Sequence, residues 1–245
     1  GVVGVISPWN YPFTMALCDG LRALLAGNAV VAKPDAQTML SGLLAAQLLE
    51  DAGFPADLWQ VVSGPGPEIG PAVVRRADHV CFTGSTAVAQ IINKALAAKP
   101  NSPIPLIAET GGLNAMVVDS TALPEQVIDA VVQSAFRSAG QRCSALRLLC
   151  VQSSIADGLI EMLKGALLQL HVGQPADLAT DVGPVIDDEA HANISRPVER
   201  LKRDARLLAE APVAEAMPRQ IRPDAFELPR VHHLGEEIFG PVLHV

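Results

Sequence analysis

Short apolar runs recur along this chain with helix-period segments between them, and that rhythm restricts the fold more than any other feature. Residues 2–6, 29–32, 59–62 and 80–82 read as strands, and residues 15–25, 38–52, 68–76 and 86–98 as the helices that follow them. Within 38–52, Leu40, Leu43, Leu44, Leu48 and Leu49 repeat at helical spacing and Gly53 closes the segment. Parallel strands need a crossover of about this size, so the pattern predicts a doubly wound α/β sheet. A Pro-rich stretch at 100–105 leads into the apolar run 106–109 and then Thr110-Gly111-Gly112, which marks a boundary between domains at 1–112 and 113–245. Beyond it, 115–118 and 146–151 read as strands, and 124–139 and 155–170 as helices. Patterning is poor over 205–233, where Pro212, Pro218, Pro223 and Pro229 interrupt it.

Composition narrows the function classes. The chain has 245 residues, 49% hydrophobic and 18% charged, enough to bury a core and too apolar for a disordered tail. A formal net charge of −8 argues against nucleic acid as a partner, and the low aromatic content argues against an aromatic-rich binding module. No apolar run reaches the roughly 18 residues of a membrane span, and no basic leader precedes the first strand. Cys18, Cys81, Cys143 and Cys150 form no CxxC pair, so no metal site is expected. Reduced thiols and a cytoplasmic location fit this usage, with Cys18, Cys81 and Cys150 expected in apolar surroundings as small hydrophobes. The chain lacks an initiator Met, opens inside one apparent strand and stops inside another, and is expected to be a piece of something longer.

Several residues carry both a structural and a chemical reading. Gly64-Pro65-Gly66 follows a strand and opens a helix, as a turn or as a phosphate-binding loop. Phe82-Thr83-Gly84-Ser85 does the same, and Ser85 can cap the helix, bind phosphate, or do both. Lys33 ends the second strand, where it is either an exposed lysine or a donor to ribose hydroxyls. Cys143 lies in a polar turn between Arg142 and Ser144, which favours a reachable nucleophile over a buried structural thiol. Glu109 ends an apolar run beside glycines, as a solvated acid or as a base whose partial burial lifts its pKa. Asn10 is a turn residue or an oxyanion donor.

Taken in order, Ser7-Pro8-Trp9-Asn10, Lys33, Phe82-Thr83-Gly84-Ser85, Glu109-Thr110-Gly111-Gly112, Gly140-Gln141-Arg142-Cys143 and Glu236-Glu237-Ile238-Phe239-Gly240-Pro241 resemble the aldehyde dehydrogenase superfamily over the whole chain. Residues 104–116, 139–147 and 181–187 resemble the Δ1-pyrroline-5-carboxylate (glutamate semialdehyde) dehydrogenase module of bifunctional proline-utilisation proteins. The resemblance implies a Rossmann-type cofactor domain at 1–112 and an α/β catalytic thiol domain at 113–245, both incomplete.

It implies that Cys143 attacks the aldehyde, that the Asn10 side chain and the Cys143 N–H hold the oxyanion, and that Glu109 activates the hydrolytic water. Ile6, Ser7, Pro8, Trp9, Lys33, Gly64, Gly66, Phe82, Thr83, Gly84, Ser85, Gly111, Glu237 and Phe239 would contact the cofactor, and Arg142 and Ser144 the substrate. Lys33 would take the adenosine ribose, Ser85 the pyrophosphate, and Glu237 with Phe239 the nicotinamide ribose and ring. NAD is the expected cofactor and NADP the alternative, because the family's Glu three residues after the Lys is Ala36 here, with Asp35 before it. The family's Gly-aromatic and Pro-Thr stretch is not recognisable in residues 221–234. A small aldehyde substrate, a homo-oligomeric parent and fusion to a proline dehydrogenase domain are expected. The alternatives are another aldehyde as substrate, a fragment that binds nucleotide without turnover, and a cofactor-independent thiol esterase using Cys143 and Glu109.

Overall fold

Each apolar run of the first hundred residues forms a strand, and each helix-period segment returns the chain to the same edge of one sheet. In the computed structural model, which describes residues 1–100, 102–213, 216–231 and 234–245, the chain divides into units Gly1–Gly111 and Gly112–Val245. The first unit runs β1 (Val2–Ile6), α1 (Pro12–Leu25), β2 (Ala29–Lys33), α2 (Met39–Asp51), β3 (Trp59–Val61), α3 (Gly66–Arg76), β4 (His79–Thr83), α4 (Thr86–Ala97) and β5 (Leu106–Glu109). Its strands are all parallel in the order β3-β2-β1-β4-β5.

Alternate side chains of these strands feed two cores, as the period-two geometry of a strand requires. Val3, Val5 and Cys81 pack with Leu24, Leu49 and Trp59, whereas Val80 and Phe82 pack with Val74, Ile92 and Leu96. Helix starts are set locally: Pro12 occupies the first turn of α1, and Ser85 Oγ accepts from the Val88 N–H at 3.3 Å to cap α4. Cys18 departs from expectation. It lies on the exposed side of α1, while Cys81 is buried and Cys150 half-buried, and all four thiols are free.

The second unit contains β6 (Asn114–Val118), α5 (Pro124–Phe136), β7 (Leu146–Val151), α6 (Ser153–Leu167), α7 (Asp188–Asp204), β8 (Arg206–Glu210), β9 (Asp224–Glu227) and β10 (Val242–His244). Its sheet has the order β6-β7-β10-β9-β8, parallel except for β8 against β9. Val131, Ala135, Phe136, Leu149, Leu163, Leu167, Phe226 and Leu243 form the centre of its core.

Two features differ from the sequence reading. Residues 188–204 and the poorly patterned stretch after 205 hold α7, β8 and β9. Helix α7 escaped notice because only Ile194 and Val198 are buried along it and Pro197 lies inside it. Its start is nonetheless capped, with Asp187 Oδ1 accepting from the Ala190 N–H at 2.7 Å. The other difference is the end of α5, at Phe136 rather than 139. A 3-10 turn follows at Arg137–Gly140, with Ser138 (φ 57°), Ala139 (φ 52°) and Gly140 (φ 65°) all left-handed.

Non-glycine residues reach that region at a cost of roughly 1–2 kcal/mol each, so surrounding contacts must hold the turn. One such contact is the approach of Gly140 to Gly240, where a Cβ on Gly140 would lie 2.1 Å from the Gly240 carbonyl oxygen. Gly140→Ala therefore combines a backbone clash with a strained φ, and it is expected to lower stability by about 2 kcal/mol or more. Urea denaturation checks this, and a loss under about 0.5 kcal/mol would contradict the packing described.

A second prediction comes from Asp224, 1% exposed at the start of β9. Its Oδ2 is 3.5 Å from Lys202 Nζ, and its Oδ1 is buried with no hydrogen-bond partner. Burial pushes its pKa up to about 6, with Lys202 opposing the rise and Glu210 adding to it. A carboxyl with a raised folded pKa binds its proton more tightly when folded, so stability falls as pH rises from the unfolded toward the folded value. Ionisation of Asp224 should thus cost on the order of 3 kcal/mol above about pH 6. The stability of Asp224→Asn relative to the wild type should rise between about pH 4 and about pH 7, and a flat difference would contradict the assignment.

Candidate active site

In the first unit the chain reverses direction across the sheet between β1 and β4, with β2 and β3 to one side and β5 to the other. A parallel sheet of this kind offers its ligand crevice beyond the carboxyl ends of the strands at such a switch point. Ser7, Pro8 and Trp9 leave β1 there, and Gly84 and Ser85 leave β4. Ser7 is buried, and its N–H donates to the Lys33 carbonyl at 3.2 Å, extending the β1–β2 pairing in which Ile6 stands opposite Lys33. Asn10, half-buried, precedes Tyr11, whose φ of 53° makes the turn into α1. Phe82 is buried under this edge, Thr83 and Gly84 are half-buried, and Ser85 is exposed.

Lys33 is 4% exposed and forms no ion pair among the described residues. A buried stem with no carboxylate at its ammonium leaves the donors of that group to water or to a ligand. Sugar hydroxyls at the end of β2 would accept from them, and the residues present therefore fit a dinucleotide at this edge. Asp35 is occupied elsewhere, its Oδ1 accepting from the Gln37 N–H at 2.9 Å. Gly64 and Gly66 leave β3, on the far side of β2 from β1. Glu109 ends β5 opposite Thr83, and its carbonyl accepts from the Gly84 N–H at 3.0 Å. Its side chain is exposed in this unit, the solvated one of the two surroundings open to it from the sequence.

In the second unit Cys143 is exposed in the loop between the left-handed turn and β7. The backbone around the thiol is held on several sides. Asn114 Nδ2 donates to the carbonyls of Cys143 (2.7 Å) and Ala145 (2.9 Å). Gln141, 8% exposed, accepts the Ile186 N–H at 2.9 Å and donates to the Ser138 carbonyl at 3.2 Å. Arg142 Nη2 donates to the Gln133 (2.8 Å) and Ser134 (3.2 Å) carbonyls near the end of α5. That guanidinium is turned to the backbone, while Ser144 beside the thiol is exposed.

Arg147, 1% exposed on β7, completes the arrangement. Its Nη2 donates to Glu237 Oε1 at 3.0 Å and to the Arg142 carbonyl at 3.2 Å, and its Nη1 donates to the Gly240 carbonyl at 2.9 Å. Glu237 Oε2 accepts from the Gly112 N–H at 3.1 Å, and the Phe239 ring centroid is 5.6 Å from Arg147 Cζ. Burial pulls the Arg147 pKa below the usual guanidinium value, and its Glu237 hydrogen bond works against that shift. Behind it the His244 Nδ1 lies 3.0 Å from the Arg147 carbonyl, and burial keeps the His244 pKa low. Neutral His244 is thus a structural donor.

In the second unit Glu237, Phe239, the Gly240 carbonyl and the Arg142 carbonyl converge on one buried guanidinium, and Cys143 and Ser144 follow Arg142 in the chain. The first unit brings Ile6, Ser7, Pro8, Trp9, Lys33, Thr83, Gly84, Ser85 and Glu109 to one sheet edge. Asn114, Gln141 and Arg147 carried no role in the sequence reading. Their signal was weak: a polar residue beside a candidate nucleophile does not reveal whether its side chain faces solvent or braces backbone. Among the described residues no group of His, Cys, Asp and Glu side chains could hold a metal, and no helix is long and apolar enough to cross a membrane.

Comparison with known proteins agrees with this geometry. The family model "Aldehyde dehydrogenase family" matches residues 1–245. The bifunctional protein PutA of Salmonella typhimurium is 44% identical over 257 residues, covering 100% of this chain and 20% of that protein. PutA of Rhizobium meliloti is 43% identical over 256 residues with the same coverage. A crystal structure of a Bradyrhizobium japonicum Proline Utilization A mutant superposes with a TM-score of 0.94 at 52% identity, covering 100% of this chain and 25% of that one. The chain thus spans about a fifth of the length of these curated relatives. With an α/β fold of one parallel and one mostly parallel sheet and a family match along its whole length, the chain belongs to the aldehyde dehydrogenase family.

Proposed function

We propose that this chain is part of a nicotinamide-dinucleotide-dependent dehydrogenase that oxidises L-glutamate γ-semialdehyde to L-glutamate in proline catabolism. The observation that carries the chemistry is the exposed Cys143 thiol on a loop whose backbone is fixed by Asn114, Gln141 and Arg147. A nucleophile held this way loses little freedom on attack. The substrate class is supported by 44% identity to a bifunctional PutA protein.

In this reading the Cys143 sulfur adds to the aldehyde carbon, and the resulting oxyanion takes hydrogen bonds from the Cys143 N–H and the Asn10 side chain. The bound dinucleotide supplies the hydride acceptor that takes the chemistry from the aldehyde to the acid level of oxidation. Glu109 removes a proton from the water that cleaves the Cys143 thioester, and its exposed position at a strand end suits exchange with solvent. Ile6, Ser7, Pro8, Trp9, Gly64, Gly66, Phe82, Thr83, Gly84 and Gly111 would contact the cofactor, and Ser85 would take its pyrophosphate. Lys33 donates to the adenosine ribose, and Glu237 and Phe239 receive the nicotinamide ribose and ring. Arg142 and Ser144 flank the substrate. NAD is the proposed cofactor, because Lys33 is suited to ribose hydroxyls, and NADP is tested beside it because Ala36 offers no charge against a 2′-phosphate. Domain roles follow: residues 1–112 bind cofactor and residues 113–245 carry the thiol. A cytoplasmic location, homo-oligomeric assembly and fusion to a proline dehydrogenase domain belong to the same proposal.

The test is turnover of the intact protein with glutamate semialdehyde and either NAD or NADP, read as reduced-nicotinamide absorbance. Cys143→Ala should remove at least about a thousandfold of the rate. Turnover that survives the substitution would overturn the mechanism. Ester hydrolysis with no dependence on cofactor would favour a thiol esterase, and dinucleotide binding without turnover would favour a nucleotide-binding fragment.

A further inference from the structure

Arg147 takes no part in the chemistry just described, yet it is the largest side chain among those fully buried. Burying a charge costs several kcal/mol after relaxation, and a buried pair is often no more stabilising than well-packed apolar residues of the same volume. Leu or Met at this point of β7 would suit a stable core. The guanidinium therefore calls for an explanation other than stability, and the destinations of its donors supply one.

Two of its acceptors, Glu237 Oε1 and the Gly240 carbonyl, lie in the stretch 237–240, as does the Phe239 ring beneath its cation. The remaining acceptor is the carbonyl of Arg142, the residue joined to Cys143. One planar fork thus spans the stretch assigned to the nicotinamide half of the cofactor and the backbone that presents the thiol. The Glu237 carboxylate is pinned from both ends, by Arg147 on Oε1 and by the Gly112 N–H on Oε2. With its side chain 16% exposed, it keeps unused lone pairs within reach of a ligand.

We propose that Arg147 is a positioning residue that sets the Cys143 loop and the Glu237–Phe239–Gly240 stretch in one register, so that the ribose-binding carboxylate and the thiol are presented together. The proposal rests on the reading of Glu237 and Phe239 as cofactor contacts. A lysine cannot replace the fork. Its donors radiate from one nitrogen, whereas Arg147 reaches Gly240, Glu237 and Arg142 from separate nitrogens of a rigid plane.

The experiment uses Arg147→Met and Arg147→Lys in the intact protein, with dinucleotide dissociation constant, dehydrogenase kcat, aldehyde KM and thermal midpoint measured for each. Arg147→Met should weaken dinucleotide binding about tenfold and lower kcat by about tenfold or more, with aldehyde KM changed less than about threefold. Arg147→Lys should recover only part of both losses. A folded Arg147→Met protein with dissociation constant and kcat within about twofold of the wild type would overturn the proposal. If Arg147→Met does not fold, wild-type values in Arg147→Lys overturn it, and failure of both variants to fold makes Arg147 a stability residue and overturns it too. Failure of the underlying function is separable, because a wild-type protein that neither binds dinucleotide nor oxidises the aldehyde reveals it before any variant is compared.

Discussion

A guanidinium removed from water must have its donors satisfied in place, and the second unit is arranged around meeting that demand for Arg147. The carbonyls of Arg142 and Gly240 and the carboxylate of Glu237 converge on it from segments about 90 residues apart in sequence. Other features of the unit follow from that convergence. Gly140 must lack a side chain because Gly240 comes so close, and α5 must stop at Phe136 so that the chain can turn left-handed toward the thiol. The strain at Ser138 and Ala139 persists because these neighbouring contacts over-determine the turn.

The first unit rests on a different constraint. A wholly parallel sheet covered on both faces puts every strand's carboxyl end on one edge, so residues distant in sequence become neighbours there without any special contact between them. Lys33, Ser7, Ser85 and Glu109 are each simply the residue at or just past the end of a strand. Lys33 is buried along its stem and has no carboxylate partner among the described residues.

How much of this was legible in the sequence differs between the units. Strands β1 to β5 and their helices could be read because the apolar runs are continuous and the helices carry caps and glycine stops, as at Ser85 and Gly53. The exposed thiol was legible from the polar residues around Cys143. Helix α7 was not, because it buries little and contains Pro197, and neither were β8 and β9, whose pairing is set by partners remote in sequence. The end of α5 was misjudged because Ala139 favours a helix and only the distant Gly240 explains why it leaves one. The exposure of Cys18 depends on packing rather than on local pattern, which is why its apolar neighbours in sequence mislead. Arg147 is the clearest limit: a basic residue in an apolar strand does not disclose what it will be paired with.

The central claim is that Cys143 forms the covalent bond to substrate. Rapid acid quenching of the intact protein during turnover, followed by mass spectrometry of its peptides, tests it most directly. The account predicts an acyl group on the peptide carrying Cys143, formed only when aldehyde and dinucleotide are both present. Steady turnover with the acyl group on Cys18, Cys81 or Cys150, or on no cysteine at all under conditions where deacylation is slow, would contradict it.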